Sequence, residues 1–425
     1  MDEKHVEEDN VSEIATKIRK PWYKYVTVEP TMFLYMMAYM ITEVIEQTFY
    51  VFRACTVDHG YSEEICYNIT GYKQINLEVQ VTVSNFHQWN GVAWHIVPVF
   101  LAFFLGAYSD KRGRKSIMLA GLIGKLYFSM MLTLNSMKGN IIYVKFVNKS
   151  FTTMFVINTT LILLATLHCL FFLKWQTRPE QMSLRDAGVK NPIVDFFDLK
   201  NVKQTMLTLV KKRSNHRTLF LWFLLISMAL YTFQRDERPY MYLYVQNVFE
   251  WDPTAYSNFR TYVSTAYVLT MFVGIPLMTK MFHWRDTVIV MLGAASHMLG
   301  HFLYAQATVS KTLYIGGTVA ALGPCVAPLV RSMTSKILPT AERGVAYAFL
   351  SVMENAVAMF GSIIYSQVYN VTLGTNYVNA IFYLTISTQA VVFLFALCME
   401  ITLRGRRLES LLPHEEREIQ SYIRR

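Results

Sequence analysis

Apolar stretches of about 20 residues recur along the chain, near 31–51, 88–108, 116–135, 152–174, 219–235, 257–282, 287–306, 312–332, 344–368 and 378–402. A helix rising 1.5 Å per residue needs that length to cross about 30 Å of hydrocarbon. The pattern predicts an all-α membrane protein of about ten spans. An even count returns both termini to one side. Lys and Arg gather in alternate connections, above all at 109–116, 174–217 and the two ends. The positive-inside rule then places the termini in the cytoplasm.

Composition agrees with this pattern. The hydrophobic class makes up 53% of the 425 residues and the charged class 16%, against roughly a quarter charged in soluble domains. The net charge of +10 would suit nucleic acid, but the basic residues form short blocks between apolar runs and no continuous basic face. Residues 1–20 are polar and lack the apolar core of a cleavable signal, so the first span is expected to target the chain.

Three sequons, at Asn68, Asn148 and Asn370, fall in loops that the charge rule puts outside, where glycosylation takes place. Asn10 and Asn158 also match the pattern, but one would be cytoplasmic and the other within a span. Five cysteines and no CxxC pair argue against a disulfide scaffold or zinc array. Cys55 and Cys66 share the first outside loop, where an oxidising milieu permits a disulfide; free thiols are the alternative.

The hydropathy pattern divides the chain into a cytoplasmic N-terminus (1–30), an N-terminal bundle of four spans (31–174), a cytoplasmic linker (175–218), a C-terminal bundle of six spans (219–402) and a cytoplasmic tail (403–425). Between the second and third spans stands Gly106-Ala-Tyr-Ser-Asp110-Lys-Arg-Gly113-Arg114-Lys115. Gly106 lets two helices approach, Asp110 can cap a helix or pair with a base, and Gly113 permits a tight reversal. Arg114 and Lys115 are expected to anchor on the inner leaflet. The spacing matches G-x-x-x-D-x-x-G-R-[RK], and the chain thereby resembles the major facilitator superfamily. That resemblance implies a two-bundle fold with substrate and ions bound between the bundles, and Gly106, Asp110, Gly113, Arg114 and Lys115 as a gating motif. A weaker echo, Gly274-Ile-Pro276 followed by Arg285-Asp286, occupies the matching place in the second half.

Glu29-Pro30 at the first span and Pro328-Leu-Val-Arg331-Ser-Met-Thr-Ser335-Lys336-Ile-Leu338 with Glu342 are similar to solute carrier family 46, a family of proton-coupled folate transport. In that family two further spans lie where this chain has only the short Ser136–Phe151 connection. The resemblance therefore implies four plus six spans instead of twelve, with the fourth and fifth deleted near Met137–Asn140 by splicing or an incorrect gene model. The family's acidic proton-coupling residue in the fifth span would go with them, and its histidine in the span 219–235 has no counterpart.

A charge at membrane depth costs about 2.5–3.5 kcal/mol on insertion scales, so each calls for a partner or a purpose. Arg331 matches a family arginine implicated in substrate and proton handling, and a cation facing a cavity suits an anionic carboxylate; snorkelling to the inner surface is the alternative. Gly323-Pro324 and Pro328 interrupt the helix just before it, as broken helices at binding regions do. Glu43 and Glu46 share one face of the first span, and Glu354 with Asn355 lies in the ninth; these carboxylates are the candidate proton carriers, or pair structurally, Glu43 and Glu46 with Lys125. His297 and His301 share a face, for which packing between helices is expected before metal binding, since no further ligands are evident. The run Arg235-Asp236-Glu237-Arg238, mixed in sign and exposed at the outer end of its span, reads either as a salt-bridged gate or as a plain solvated loop.

No nucleophile elbow, P-loop, dinucleotide fingerprint or metal-ligand spacing occurs, so neither an enzyme nor a cofactor is expected. The expected activity is secondary, proton-coupled transport of a small organic anion such as a folate-like or carboxylate solute, in a lipid bilayer and without nucleic acid. A plasma membrane is favoured over a lysosomal or endosomal one, and a homo-oligomer is compatible with the sequence. The alternative is a truncated, non-transporting isoform that modulates or joins a full-length transporter.

Overall fold

The computed structural model describes residues 27–137, 143–144, 149–175, 191, 196–197, 213, 216–338, 340–404 and 408. Its long helices, in chain order, are α1 (Glu29–Arg53), α2 (Lys73–Arg112), α3 (Lys115–Met137), α4 (Phe151–Phe172), α5 (Arg217–Phe233) and α6 (Glu237–Val248). They continue with α7 (Pro253–Leu269), α8 (Asp286–Ala305), α9 (Ser310–Val319), α10 (Val326–Ile337), α11 (Thr340–Thr372) and α12 (Ala380–Leu403). Proline sets the joints within spans. Pro239, two residues into α6, supplies no N–H to the preceding turn, and α5 passes into α6 through a 3₁₀ turn at Gln234–Asp236. Around Pro276, α7 continues through two wide turns, Thr270–Gly274 and Leu277–Met281. Around Gly323-Pro324, α9 passes into α10 through Ala320–Cys325.

Eight helical stretches among the described residues are long and apolar enough to cross a bilayer: Lys115–Met137, Phe151–Phe172, Arg217–Val248, Pro253–Met281, Asp286–Ala305, Ser310–Ile337, Ala346–Thr372 and Ala380–Leu403. The expected count of ten is not reached by this measure. α1 and α2 have 25 and 40 residues, ample length, but they carry more polar side chains, among them Glu43, Glu46 and Gln47 in α1 and Gln80, Asn85 and Gln88 in α2. The Ser136–Phe151 connection contains a short antiparallel ladder, Tyr143 opposite Ser150 and Val144 opposite Lys149.

The chain forms two compact units, one of residues 1–45 and 112–183, the other of 46–111 and 184–425. In the first, α3 and α4 pack through Leu122, Ala165 and Cys169, with Leu34 and Tyr35 of α1 against them. Polar groups here bond across helices, as hydrocarbon surroundings require: Ser129 and Thr133 of α3 both meet the Thr159 hydroxyl, at 2.7 and 3.0 Å, and the Asn158 amide donates to Ser129 at 2.9 Å.

In the second unit, Leu221, Leu225 and Met228 of α5, Val290 and Ala294 of α8, Val330 and Met333 of α10, and Val392 and Met399 of α12 form one continuous core. The start of α2 lies against α11 through polar pairs. Tyr369 donates to Gln80 Oε1 at 2.8 Å, the Ser84 and Ser366 hydroxyls meet at 3.0 Å, and Gln367 donates to Gln88 at 2.9 Å. Gly91 permits this closeness, because a Cβ there would stand 2.4 Å from Ser362 Cβ.

Two expectations change. Arg235-Asp236-Glu237-Arg238 is not an exposed outer end: the helix runs on to Val248, and Glu237 is buried. The apolar and aromatic run Tyr240–Val245, beyond the end assigned from hydropathy, is buried with Glu237, while Arg235 is exposed and Asp236 and Arg238 are partly buried. Likewise Asn370 lies not in a loop but in the last turns of α11, where its amide donates to Asn85 at 2.8 Å. Asn68 is exposed at the end of a short helix, Glu63–Tyr67, and Asn148 lies outside the described residues.

Candidate functional site

Arg331 stands in the middle of α10, shortly after the 3₁₀ break at Ala320–Cys325, and Glu354 stands on α11. Arg331 Nη2 donates to Glu354 Oε1 at 2.8 Å, with the arginine side chain half exposed and the carboxylate largely covered. Tyr347 of α11 donates to the Arg331 carbonyl at 3.0 Å, tying the two helices together at the same level. One residue beyond Glu354, the Asn355 amide donates to Ser351 O at 2.8 Å and turns Oδ1 toward His95 Nδ1, 3.0 Å away. An amide oxygen only accepts, so Nδ1 of His95 carries the proton. The cluster therefore places one cation and one carboxylate in helices long and apolar enough to cross a membrane, with an oriented imidazole on α2. Pairing offsets the cost of each charge, and the exposed part of the Arg331 guanidinium keeps donors directed away from Glu354.

Of the other carboxylates singled out in the sequence, Glu46 accepts from Tyr50 at 2.5 Å, one turn along α1. Glu43 is partly buried on the same helix. In the motif, Gly106 and Asp110 fall in the last turns of α2, and their side chains lie outside what the structure describes. Gly113 makes the reversal between α2 and α3 with φ of +104°, a conformation for which glycine has no steric cost. Arg114 is exposed, but Lys115 is not directed at headgroups. It is buried, donates to the carbonyls of Leu170 and Leu173, each at 2.7 Å, and lies 4.4 Å from the Trp175 ring centre. It thus caps the C-terminal carbonyls of α4, where a cation is favoured. Arg285 and Asp286 of the second-half echo are also engaged: Arg285 with Glu400 at 2.6 Å and Asp286 with Lys336 at 2.5 Å. Cys55 and Cys66 are joined as a disulfide, with Cα atoms 5.8 Å apart. Among the described residues no cluster of three or more His, Cys, Asp or Glu is arranged to hold a metal ion.

Sequence reasoning missed two partners. His95 carries no signal in its neighbourhood beyond being a polar residue within an apolar run. Glu237 was assigned to an exposed segment, yet it lies in the core against His301 Nε2, 3.3 Å away. The i, i+4 pair His297 and His301 was the available clue that a charged partner had to exist.

No protein-family profile matches the chain. A probable peptidoglycan muropeptide transporter of solute carrier family 46 from Drosophila melanogaster is 19% identical over 417 residues, spanning 82% of this chain and 80% of that protein. The proton-coupled folate transporter of Bos taurus is 22% identical, spanning 81% and 86%. The solved human organic anion transporter MFSD10 (TETRAN) superposes with a TM-score of 0.61 at 13% identity, covering 89% of this chain and 100% of that one, and so shares its fold. The chain is an all-α, multi-pass membrane protein that shares the fold of that organic anion transporter and resembles transporters of solute carrier family 46.

Proposed function

We propose that the chain is a secondary active transporter of a small organic anion, with Arg331 as the anion anchor and protons as the coupled ion. The observation that carries this reading is the Arg331–Glu354 contact at 2.8 Å. A substrate carboxylate and the Glu354 carboxylate compete for one guanidinium, and a proton on Glu354 resolves that competition in favour of substrate. Transfer of the anion and of the proton is then linked, because the deprotonated carboxylate holds the anchor closed. The substrates for which the relatives are named, a muropeptide, a folate and organic anions, fit a cationic anchor of this kind. Glu43 and Glu46 remain further proton candidates on α1, with Asp110 and Arg114 at the inner gate. The division into bundles at 31–174 and 219–402, the plasma membrane location and the disulfide and glycan at the outer loop belong to the same proposal.

The test is uptake into proteoliposomes of a panel of labelled carboxylates, folate included, at acidic and neutral outside pH, with and without a protonophore. Accumulation that rises in acid and disappears with the protonophore supports the reading. Uptake indifferent to both sinks it.

The short Ser136–Phe151 connection favours a second reading, in which this form lacks two spans and regulates a longer sibling without transporting. Inserting the two spans and regaining uptake that the shorter chain lacks supports it; equal uptake by both forms removes it.

A further inference from the structure

A second buried ionisable cluster lies in the unit formed by 46–111 and 184–425, apart from the anion anchor. His301 of α8 places Nε2 3.3 Å from Glu237 Oε1, and both side chains are more than nine-tenths buried. His301 Nδ1 is 2.9 Å from the His297 carbonyl. A carbonyl can only accept, so Nδ1 carries a hydrogen and Nε2 is the nitrogen left to face the carboxyl. Across that contact two lone pairs would repel. The approach is favourable only with one proton between them, either on Nε2 as an imidazolium facing a carboxylate, or on Glu237 as an acid facing a neutral imidazole.

The rest of the site is fitted to the same charge. Glu237 Oε2 bonds the Thr385 hydroxyl, which meets the Tyr365 hydroxyl at 2.7 Å. Tyr267 of α7, Tyr304 of α8 and Tyr365 of α11 are the ionisable groups near Glu237, Arg238 of α6 lies near His297, and Arg260 and Asp236 lie near those tyrosines. His297 stands one turn before His301 with ring centres 4.4 Å apart. The buried Gln389 amide faces the His297 ring. A polar pair buried at this depth adjoins a group that can gain or lose a proton.

We infer that Glu237 and His301 form a binding site for one proton, with His297 and Gln389 as the adjoining polar station through which it enters or leaves. This rests on the proton-coupled reading above and names a further place where the coupled proton resides. His301, Tyr365 and Thr385 lie within about two turns, and Glu237 within about three, of the helix ends that face outside when the termini are inside. Protonation needs no reactant other than a proton.

The test is solid-state NMR of the full chain in liposomes with nitrogen-15 histidine, titrated between about pH 5 and 8, with tritiated folate uptake measured in the same preparation. His301→Gln assigns the signal. The inference expects Nε2 of His301 to carry or share a proton at acidic pH and to change as pH rises, a change lost in Glu237→Gln and retained in Glu354→Gln. A His301 Nε2 that stays bare throughout, or that titrates identically in Glu237→Gln, overturns it. Folate uptake can fail, which counts against the transport reading, without altering the histidine signal.

Discussion

Arg331 and Glu354, 23 residues apart on successive helices, meet at 2.8 Å within helices long and apolar enough to span a membrane. Each is then both the other's neutraliser and its competitor. Charge-assisted bonds of this type contribute about 1.5–3 kcal/mol, so removing the cation should raise the KM for the transported anion roughly 10–100-fold. Arg331→Ala is expected to do this and Arg331→Lys to restore only part, because a point charge does not reproduce the guanidinium fork. Uptake kinetics at fixed pH check both.

Glu354→Gln is expected to act in the opposite sense on affinity. With no carboxylate to displace, the anchor is open at every pH, so KM at neutral pH falls and the acid stimulation of uptake flattens. The sign follows from the contact: acid protonates Glu354 and frees Arg331, which strengthens anion binding as pH falls in the native protein and not in the variant. A pH series of initial rates separates the two proteins.

Lys115 supplies two bonds to the carbonyls of Leu170 and Leu173 at the C-terminal end of α4. Replacing it by Met should leave those carbonyls unpartnered and destabilise the protein by about 1–3 kcal/mol. The expected result is a lower unfolding temperature in detergent. Fluorescence-detected thermal unfolding is the measurement.

Much of the fold was legible because a bilayer imposes a single strong length rule on apolar runs. The limits were set where polarity and helicity part company. Tyr240–Val245 lie on a helix that continues past a charged run, and hydropathy alone ended the span at Arg235. α1 and α2 were recognised as helical runs, but their glutamates and glutamines make them less apolar than the rest. Arg331 and Glu354 were each conspicuous as charges in apolar surroundings. Their pairing was not, because residues 23 apart meet only through the packing of α10 against α11. Lys115 reads as a headgroup anchor until α4 is seen to end beside it.

The outer-loop sequons yield a separate prediction. Asn68 is exposed at a helix end, whereas the Asn370 amide is engaged with Asn85 in α11. Asn68→Gln should remove a glycan and speed migration on a gel after expression in glycosylating cells, while Asn370→Gln should leave mobility unchanged.

At α2 and α11, Gly91 leaves no room for a side chain against Ser362. Gly91→Leu should overpack this contact, costing about 1–3 kcal/mol, and Ser362→Gly in the same chain should recover part of it. Thermal unfolding of the single and double variants measures the coupling.

The central claim is that anion and proton meet at one competed arginine. Its most direct test is initial uptake of labelled folate into proteoliposomes as a function of outside pH, comparing the native chain with Arg331→Ala and Glu354→Gln. The account predicts acid-stimulated, protonophore-sensitive uptake in the native protein, near-complete loss in the first variant and pH-insensitive uptake in the second. The same acid stimulation in all three proteins would contradict it.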